Sequence, residues 1–72
     1  MTNELWMDLG KGFLYYKTNA TSLKAALEEF LDKLDSINCI HDNFGWEEIE
    51  FRDPDLNPIE SGGIGRPADY NL

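Results

Sequence analysis

The sequence predicts a small α+β domain, in which one amphipathic helix packs on one face of an antiparallel sheet of about three strands. Alternating apolar residues near the start, a helical apolar stripe in the middle and a second alternating stretch after it support this fold class. With 72 residues the chain is long enough for one domain. We therefore expect a β-β-α-β unit over residues 1–60 and a flexible tail with glycine and proline over residues 61–72.

The first two strands are predicted on either side of a turn with two glycines. Residues 5–9 alternate between apolar and other positions, as a half-buried strand does, and residues 10–12 supply the glycines of a tight turn. Residues 13–18 are rich in aromatic side chains that suit a pleated surface. In this second strand the pattern leaves open whether Phe13 and Tyr15, or Leu14 and Tyr16, face the core. The inward residues of the first strand are Leu5, Met7 and Leu9.

The helix is predicted from Ser22 onwards, because apolar residues recur there at intervals of three and four. Ser22 or Thr21 is the expected N-cap, since a side-chain oxygen there can accept a hydrogen bond from the first turn. Asn38 is the expected stop, since asparagine tolerates the left-handed conformation. The predicted buried stripe comprises Leu23, Ala26, Leu27, Phe30, Leu31, Leu34 and Ile37.

A third strand is predicted over residues 46–52, after a loop at residues 42–45. Its alternation places Ile49 and Phe51 on the helix side, and Trp46, Glu48 and Glu50 on the other side. A proline-containing turn follows at residues 53–58, and residues 58–60 could begin a short edge strand.

The charge of the chain is concentrated in its second part. Residues 1–27 carry two acidic and three basic residues, a net charge of +1, and residues 28–72 carry twelve acidic and three basic residues, a net charge of −9. The two values add up to the net charge of −8. This balance disfavours nucleic acid and anionic membranes as partners, and it favours a basic protein surface.

The compartment is predicted from what the sequence contains. Cys39 is the single cysteine, so the chain cannot form an internal disulfide. The sequence therefore has no sign of the oxidising environment in which disulfide-bonded proteins are found. The first residues do not resemble a signal peptide, and no apolar run reaches the roughly 20 residues that span a bilayer. We therefore expect a soluble, cytoplasmic protein.

The best functional candidates are aromatic side chains next to carboxylates on the sheet face away from the helix. Tryptophan and tyrosine are enriched at the centres of protein interfaces. The alternative is that these rings cover their own sheet or lie under the tail, and a further possibility is a homodimer through Trp6 and Trp46. The candidate partner-binding residues are Trp6, Tyr16 and Trp46 among the aromatics, Glu28, Glu29, Asp32 and Asp35 on the helix, and Glu47, Glu48 and Glu50 near the third strand.

Two short patterns contain residue types that are used in metal binding or catalysis, but neither is complete. Cys39-x-His41-Asp42 contains metal-ligand and nucleophile types, but the chain has only one cysteine and one histidine for such a site. Asp53-x-Asp55-x-Asn57 matches the opening of a calcium loop but lacks its glycine and its final glutamate. We therefore predict no catalytic, cofactor-binding or metal-binding residues, and a protein that is not an enzyme.

In size, acidity and lack of a catalytic motif, the chain resembles the small inhibitor proteins of phages and mobile elements, including anti-CRISPR and anti-restriction proteins. The resemblance is one of composition and size, so it transfers no site residue. The resemblance implies a non-enzymatic inhibitor. The acidic residues concentrated in the second part of the chain could resemble a nucleic-acid backbone or could simply keep the protein in solution. On the first reading, the inhibitor mimics nucleic acid and occupies a basic, nucleic-acid-binding surface of a host protein. The alternative is a homodimeric accessory or antitoxin-like structural subunit.

Overall fold

The computed structural model describes residues 2–36 and 44–70 and confirms the α+β class. Within these residues, four antiparallel strands form one sheet in the order β2-β1-β3-β4. The prediction of about three strands is wrong, because the segment after the proline-containing turn forms a complete fourth strand. The elements are β1 Asn3–Asp8, β2 Phe13–Thr18, α1 Leu23–Ser36, β3 Glu48–Arg52, β4 Pro58–Gly62 and a short 3₁₀ helix Pro67–Tyr70.

The central strand β1 determines which side chains form the core. Its Leu5 lies opposite Tyr16 of β2 and Phe51 of β3, and its Met7 lies opposite Leu14 and Ile49 in the same way. Side chains opposite one another in register share a face of the sheet, so this layer packs beneath α1. The buried apolar residues are Leu5, Met7, Leu23, Ala26, Leu27, Phe30, Leu31, Trp46, Ile49 and Phe51.

Strand β4 follows the predicted turn, which the structure confirms. The Asp53 carboxylate accepts hydrogen bonds from the backbone N–H groups of Asp55 and Asn57, both at 2.9 Å. Pro58 can begin β4 because an edge strand needs hydrogen bonds on one side only. The boundary predicted at residue 60 therefore falls inside a strand.

The start of α1 agrees with the predicted N-cap. The Ser22 hydroxyl accepts a hydrogen bond of 3.2 Å from the backbone N–H of Ala25, three residues later. A second acceptor comes from β4, whose Glu60 carboxylate lies 2.7 Å from the backbone nitrogen of Leu23. The helix extends to Ser36, and the predicted stop at Asn38 lies outside the described residues.

Beyond β4, part of the predicted tail is paired with the rest of the domain. Trp46 and Gly65 exchange two backbone hydrogen bonds, at 3.0 and 3.1 Å. Pro67, at the start of the 3₁₀ helix, is buried. The chain therefore has ordered structure beyond residue 60, where the sequence predicts a flexible tail.

Candidate functional site

The sheet has a second face, opposite α1, which we call the open face. It is formed by the residues of β1, β2 and β3 that alternate with the core positions. In register, they form three rows that each cross β2, β1 and β3. The rows are Phe13–Asp8–Glu48, Tyr15–Trp6–Glu50 and Lys17–Glu4–Arg52.

Three aromatic rings lie side by side on the open face. The Trp6 and Tyr15 rings meet edge to face, with their centroids 4.3 Å apart, and Phe13 lies parallel to Tyr15 at 6.5 Å. Phe13 is 64% exposed and Tyr15 is 57% exposed, so the described part of the chain leaves both rings largely uncovered. Exposed aromatic surface of this kind on a small protein is typical of an interaction site.

Trp6 is held in position by charged neighbours. The Arg52 guanidinium lies over its ring, 3.8 Å from the centroid, and the Trp6 indole N–H donates a 2.9 Å hydrogen bond to the Glu4 carboxylate. Arg52 also forms an ion pair with Glu50, at 2.7 Å between Nη2 and Oε2. The centre of the open face is therefore organised before any partner binds.

Negative charge accumulates at one end of the open face. The three rows contain four acidic and two basic residues, and both basic residues, Lys17 and Arg52, lie in the same row. At the other end, Asp8 and Glu48 lie directly opposite one another on neighbouring strands. In the part of the chain that the structure describes, the Glu48 carboxylate has no hydrogen-bond or ion-pair partner.

Trp46 is buried, which corrects its predicted place on the open face. Only 3% of it is exposed, and its ring lies 6.2 Å from Phe44 and next to the backbone of Gly65. The chain bends at Glu47, whose backbone N–H bonds to the carbonyl of Asp8 at 2.7 Å before the regular pairing of β3 begins at Glu48. The alternation therefore does not extend back to Trp46, and its ring lies in the core.

Tyr16 is also not on the open face, and Tyr15 occupies the position predicted for it. The Tyr16 hydroxyl donates a 2.5 Å hydrogen bond to the Glu29 carboxylate, which accepts a second one from Thr18 at 3.0 Å. Desolvation and the hydrogen bond and charge of Glu29 raise the pKa of Tyr16 to about 12. The hydrogen bonds from Tyr16 and Thr18, with the nearby charge of Lys33, lower the pKa of Glu29. Tyr16 and Glu29 therefore join β2 to α1.

The predicted acidic residues divide between two sides of the molecule. Glu48 and Glu50 lie beside Trp6 on the open face, whereas Glu28 and Asp32 are exposed on α1, on the other side of the sheet. Asp35 belongs to the end of α1. Glu47 is exposed near the β1–β2 turn, with its carboxylate close to Gly10. Of the predicted residues, the structure brings Trp6, Glu48 and Glu50 together on the open face. It adds three that are not among the predicted partner-binding residues, Tyr15, Phe13 and Asp8.

Phe13 and Tyr15 could not be selected from the pattern of β2, where apolar and aromatic residues occupy consecutive positions. Which residues of β2 face outward depends on the turn that precedes the strand. There, Gly10 adopts a φ of 80°, and its N–H bonds to the Asp8 side chain at 2.9 Å. Glycines at residues 10 and 12 are a signal for a hairpin, but not for its register.

The residues considered for chemistry give no site in the described ranges. Cys39, His41 and Asp42 lie outside residues 2–36 and 44–70, and within those ranges no group of three His, Cys, Asp or Glu side chains could hold a metal ion. None of the helices there combines the length and apolar character required to cross a bilayer.

Comparison of the chain with protein-family models, with curated proteins and with solved structures gives no match.

Proposed function

We propose that this protein is a non-enzymatic inhibitor of the cytoplasm that docks its open face on a basic, nucleic-acid-binding surface of a partner protein. The observation that carries the proposal is the open face itself, where exposed aromatic rings lie beside Asp8 and Glu48, whose carboxylates have no ion-pair partner among the described residues. By covering that surface, the protein would exclude the nucleic acid that the partner binds.

The rings supply the contact area of such an interface. Phe13 and Tyr15 are the most exposed rings on the face, and Trp6 is already held by Arg52 and Glu4. Aromatic side chains bury a large area while few rotatable bonds are immobilised, so they often dominate binding energy. The organised position of Trp6 lowers the ordering cost of binding.

The charges supply steering and a preference for a basic partner. With a net charge of −8, the protein is repelled by phosphate backbones and attracted by the lysine and arginine side chains that bind them. Glu48 and Glu50 lie within the proposed contact, whereas Glu28 and Asp32 lie on α1 and contribute only to the long-range field. The helix carboxylates should therefore affect the rate of association more than the lifetime of the complex.

The resemblance in size and acidity to the small inhibitors of phages and mobile elements supports the same proposal. A homodimer through Trp6 and Trp46 has less support, because Trp46 is buried. Stacking two open faces would also bring together two surfaces that each carry four acidic and two basic residues.

The test begins with capture of the partner from the native host, and then uses the purified partner for quantitative binding. Calorimetry at about 50 mM and about 200 mM salt should show a clear loss of affinity at the higher salt concentration. Tyr15→Ala and Phe13→Ala should each weaken binding about tenfold or more. Leu56→Ala is the matched control, because Leu56 is 46% exposed in the β3–β4 turn and belongs to none of the three rows of the open face.

A competition assay tests the inhibitory part of the proposal. The partner, loaded with its labelled nucleic acid, should release it when this protein is added in excess, and Tyr15→Ala should release less. Affinity that does not depend on Tyr15 or Phe13, or a ternary complex with nucleic acid still bound, would contradict the proposal. The proposal would also be contradicted if sedimentation showed that the wild-type protein is a dimer and that Tyr15→Ala is a monomer. The open face would then be occupied by a second copy.

A further inference from the structure

We infer that the open face receives an arginine side chain of the partner in a crevice beside Phe13, an inference that rests on the proposed function. The crevice has a volume of about 60 Å³ between β1, β2 and β3. Sites for small molecules usually hold about 300–1,000 Å³, so this crevice suits the end of a single side chain. Its polar and aromatic lining consists of Trp6, Asp8, Phe13, Glu48, Glu50 and Arg52.

The charges around the crevice favour a cation. Asp8 and Glu48 are opposite one another in register, and like charges in this arrangement repel each other. Glu50 already neutralises Arg52 through the 2.7 Å ion pair, so Arg52 adds little repulsion toward an incoming cation. Lys17 lies in the most distant row, and Lys11 is exposed in the β1–β2 turn. An incoming cation would therefore relieve the repulsion between Asp8 and Glu48.

The open face already contains one guanidinium held in this way. Arg52 lies 3.8 Å from the centroid of the Trp6 ring and is bound by the Glu50 carboxylate, so an aromatic ring and a carboxylate hold it together. The Phe13–Asp8–Glu48 row offers the same combination of ring and carboxylates in the neighbouring row of the sheet. In this row no guanidinium of the described chain is present to fill the place.

Arginine fits this chemistry better than lysine does. A guanidinium is planar, can stack on an aromatic face and has five N–H donors, which allow it to bond to two carboxylates at once. A lysine ammonium is a compact and strongly hydrated charge that gains less from the ring. The crevice should therefore distinguish two side chains of equal charge.

The inference can be tested on the protein alone, by titrating the ¹⁵N-labelled chain with capped amino acids. We expect Nα-acetyl-arginine amide to give saturable shifts that are largest at the amides of Asp8, Phe13 and Glu48. The lysine compound should bind about threefold more weakly than the arginine compound, and the neutral citrulline compound should not saturate. Glu48→Gln should weaken arginine binding about threefold, whereas Glu28→Gln, which removes the same charge from α1, should leave it unchanged.

Equal binding of arginine and lysine would overturn the inference, and so would amide shifts of equal size at the acidic residues of α1. The amide spectrum of Glu48→Gln reports whether the variant is folded, so loss of binding can be separated from loss of structure. If the affinity for the partner still depends on Tyr15 while arginine amide does not bind at the crevice, only this inference fails. If the partner binds independently of Phe13 and Tyr15, the proposed function fails.

Discussion

The Glu60 carboxylate accepts a 2.7 Å hydrogen bond from the backbone N–H of Leu23, the first residue of α1. The two residues are 37 positions apart, so this bond joins the last strand to the start of the helix. A carboxylate at a helix N-terminus satisfies an N–H group that has no partner within the helix, and it interacts favourably with the helix dipole.

Substitution of Glu60 should therefore destabilise the whole domain. We expect Glu60→Ala to lower the free energy of unfolding by about 1 kcal/mol, with a smaller loss for Glu60→Gln because its carbonyl oxygen can still accept the bond. Urea denaturation followed by circular dichroism measures the change. Glu28→Gln, a change of the same charge on the exposed side of α1, is the control and should have almost no effect. Equal stability of Glu60→Ala and wild type would show that the bond contributes nothing.

The contact between Tyr16 and Glu29 should make stability depend on pH at both extremes. Because folding lowers the pKa of Glu29, its contribution is present above its ordinary value of 4.5 and is lost as the pH falls through the lower folded-state value. Because folding raises the pKa of Tyr16 from 10.0 to about 12, its contribution is present below pH 10 and is lost as the pH rises toward 12.

Tyr16→Phe should therefore lower stability most near neutral pH, and the difference from wild type should shrink well below pH 4.5 and above pH 10. Urea midpoints measured across the pH range give this difference directly. Tyr15→Phe removes a hydroxyl from the open face and leaves the Glu29 contacts in place, so it is the matched control. A Tyr16→Phe difference that is constant across pH would refute the assignment.

A side chain at Gly65 should destabilise the protein, because Gly65 packs directly on Trp46. A Cβ atom at Gly65 would lie 3.0 Å from the Trp46 indole nitrogen and 3.2 Å from two ring carbons. We expect Gly65→Ala to cost about 1–3 kcal/mol of stability. Gly63 is the control, since a Cβ atom there would meet nothing within 4 Å, and Gly63→Ala should be neutral or slightly stabilising. Thermal unfolding compares the two variants, and equal transition temperatures would show that residue 65 does not pack on the indole.

Glu48, which we propose as a binding residue, should be unfavourable for stability. Because it faces Asp8 across the β1–β3 pairing, Glu48→Gln should raise the free energy of unfolding by about 0.2–1 kcal/mol at low salt. The gain should shrink as salt screens the repulsion. Denaturation at two salt concentrations, with Glu28→Gln as the reference for a simple loss of charge, measures the effect. A loss of stability in Glu48→Gln would mean that the carboxylate has a stabilising role.

The elements with a clear period are the ones that sequence reasoning places correctly. The inward residues Leu5 and Met7 of β1 and the cap Ser22 of α1 agree with the structure, because alternation, helical spacing and capping are local properties. The sequence indicates β4 only weakly, because its residues, Pro58–Gly62, include proline and glycine, which are weak strand formers. Its place comes from pairing with β3 and from the bond between Glu60 and Leu23.

The sequence by itself therefore determines the α+β class, the helix start and the inward face of β1. Only the tertiary structure decides that Tyr15 is exposed and Tyr16 is bound to Glu29, and that Trp46 lies in the core rather than beside Trp6. The physical reason is that the face of a strand residue depends on register, which turns and bends set through hydrogen bonds between distant segments. A shift of one residue at Gly10 or Glu47 exchanges which ring is buried and which can meet a partner.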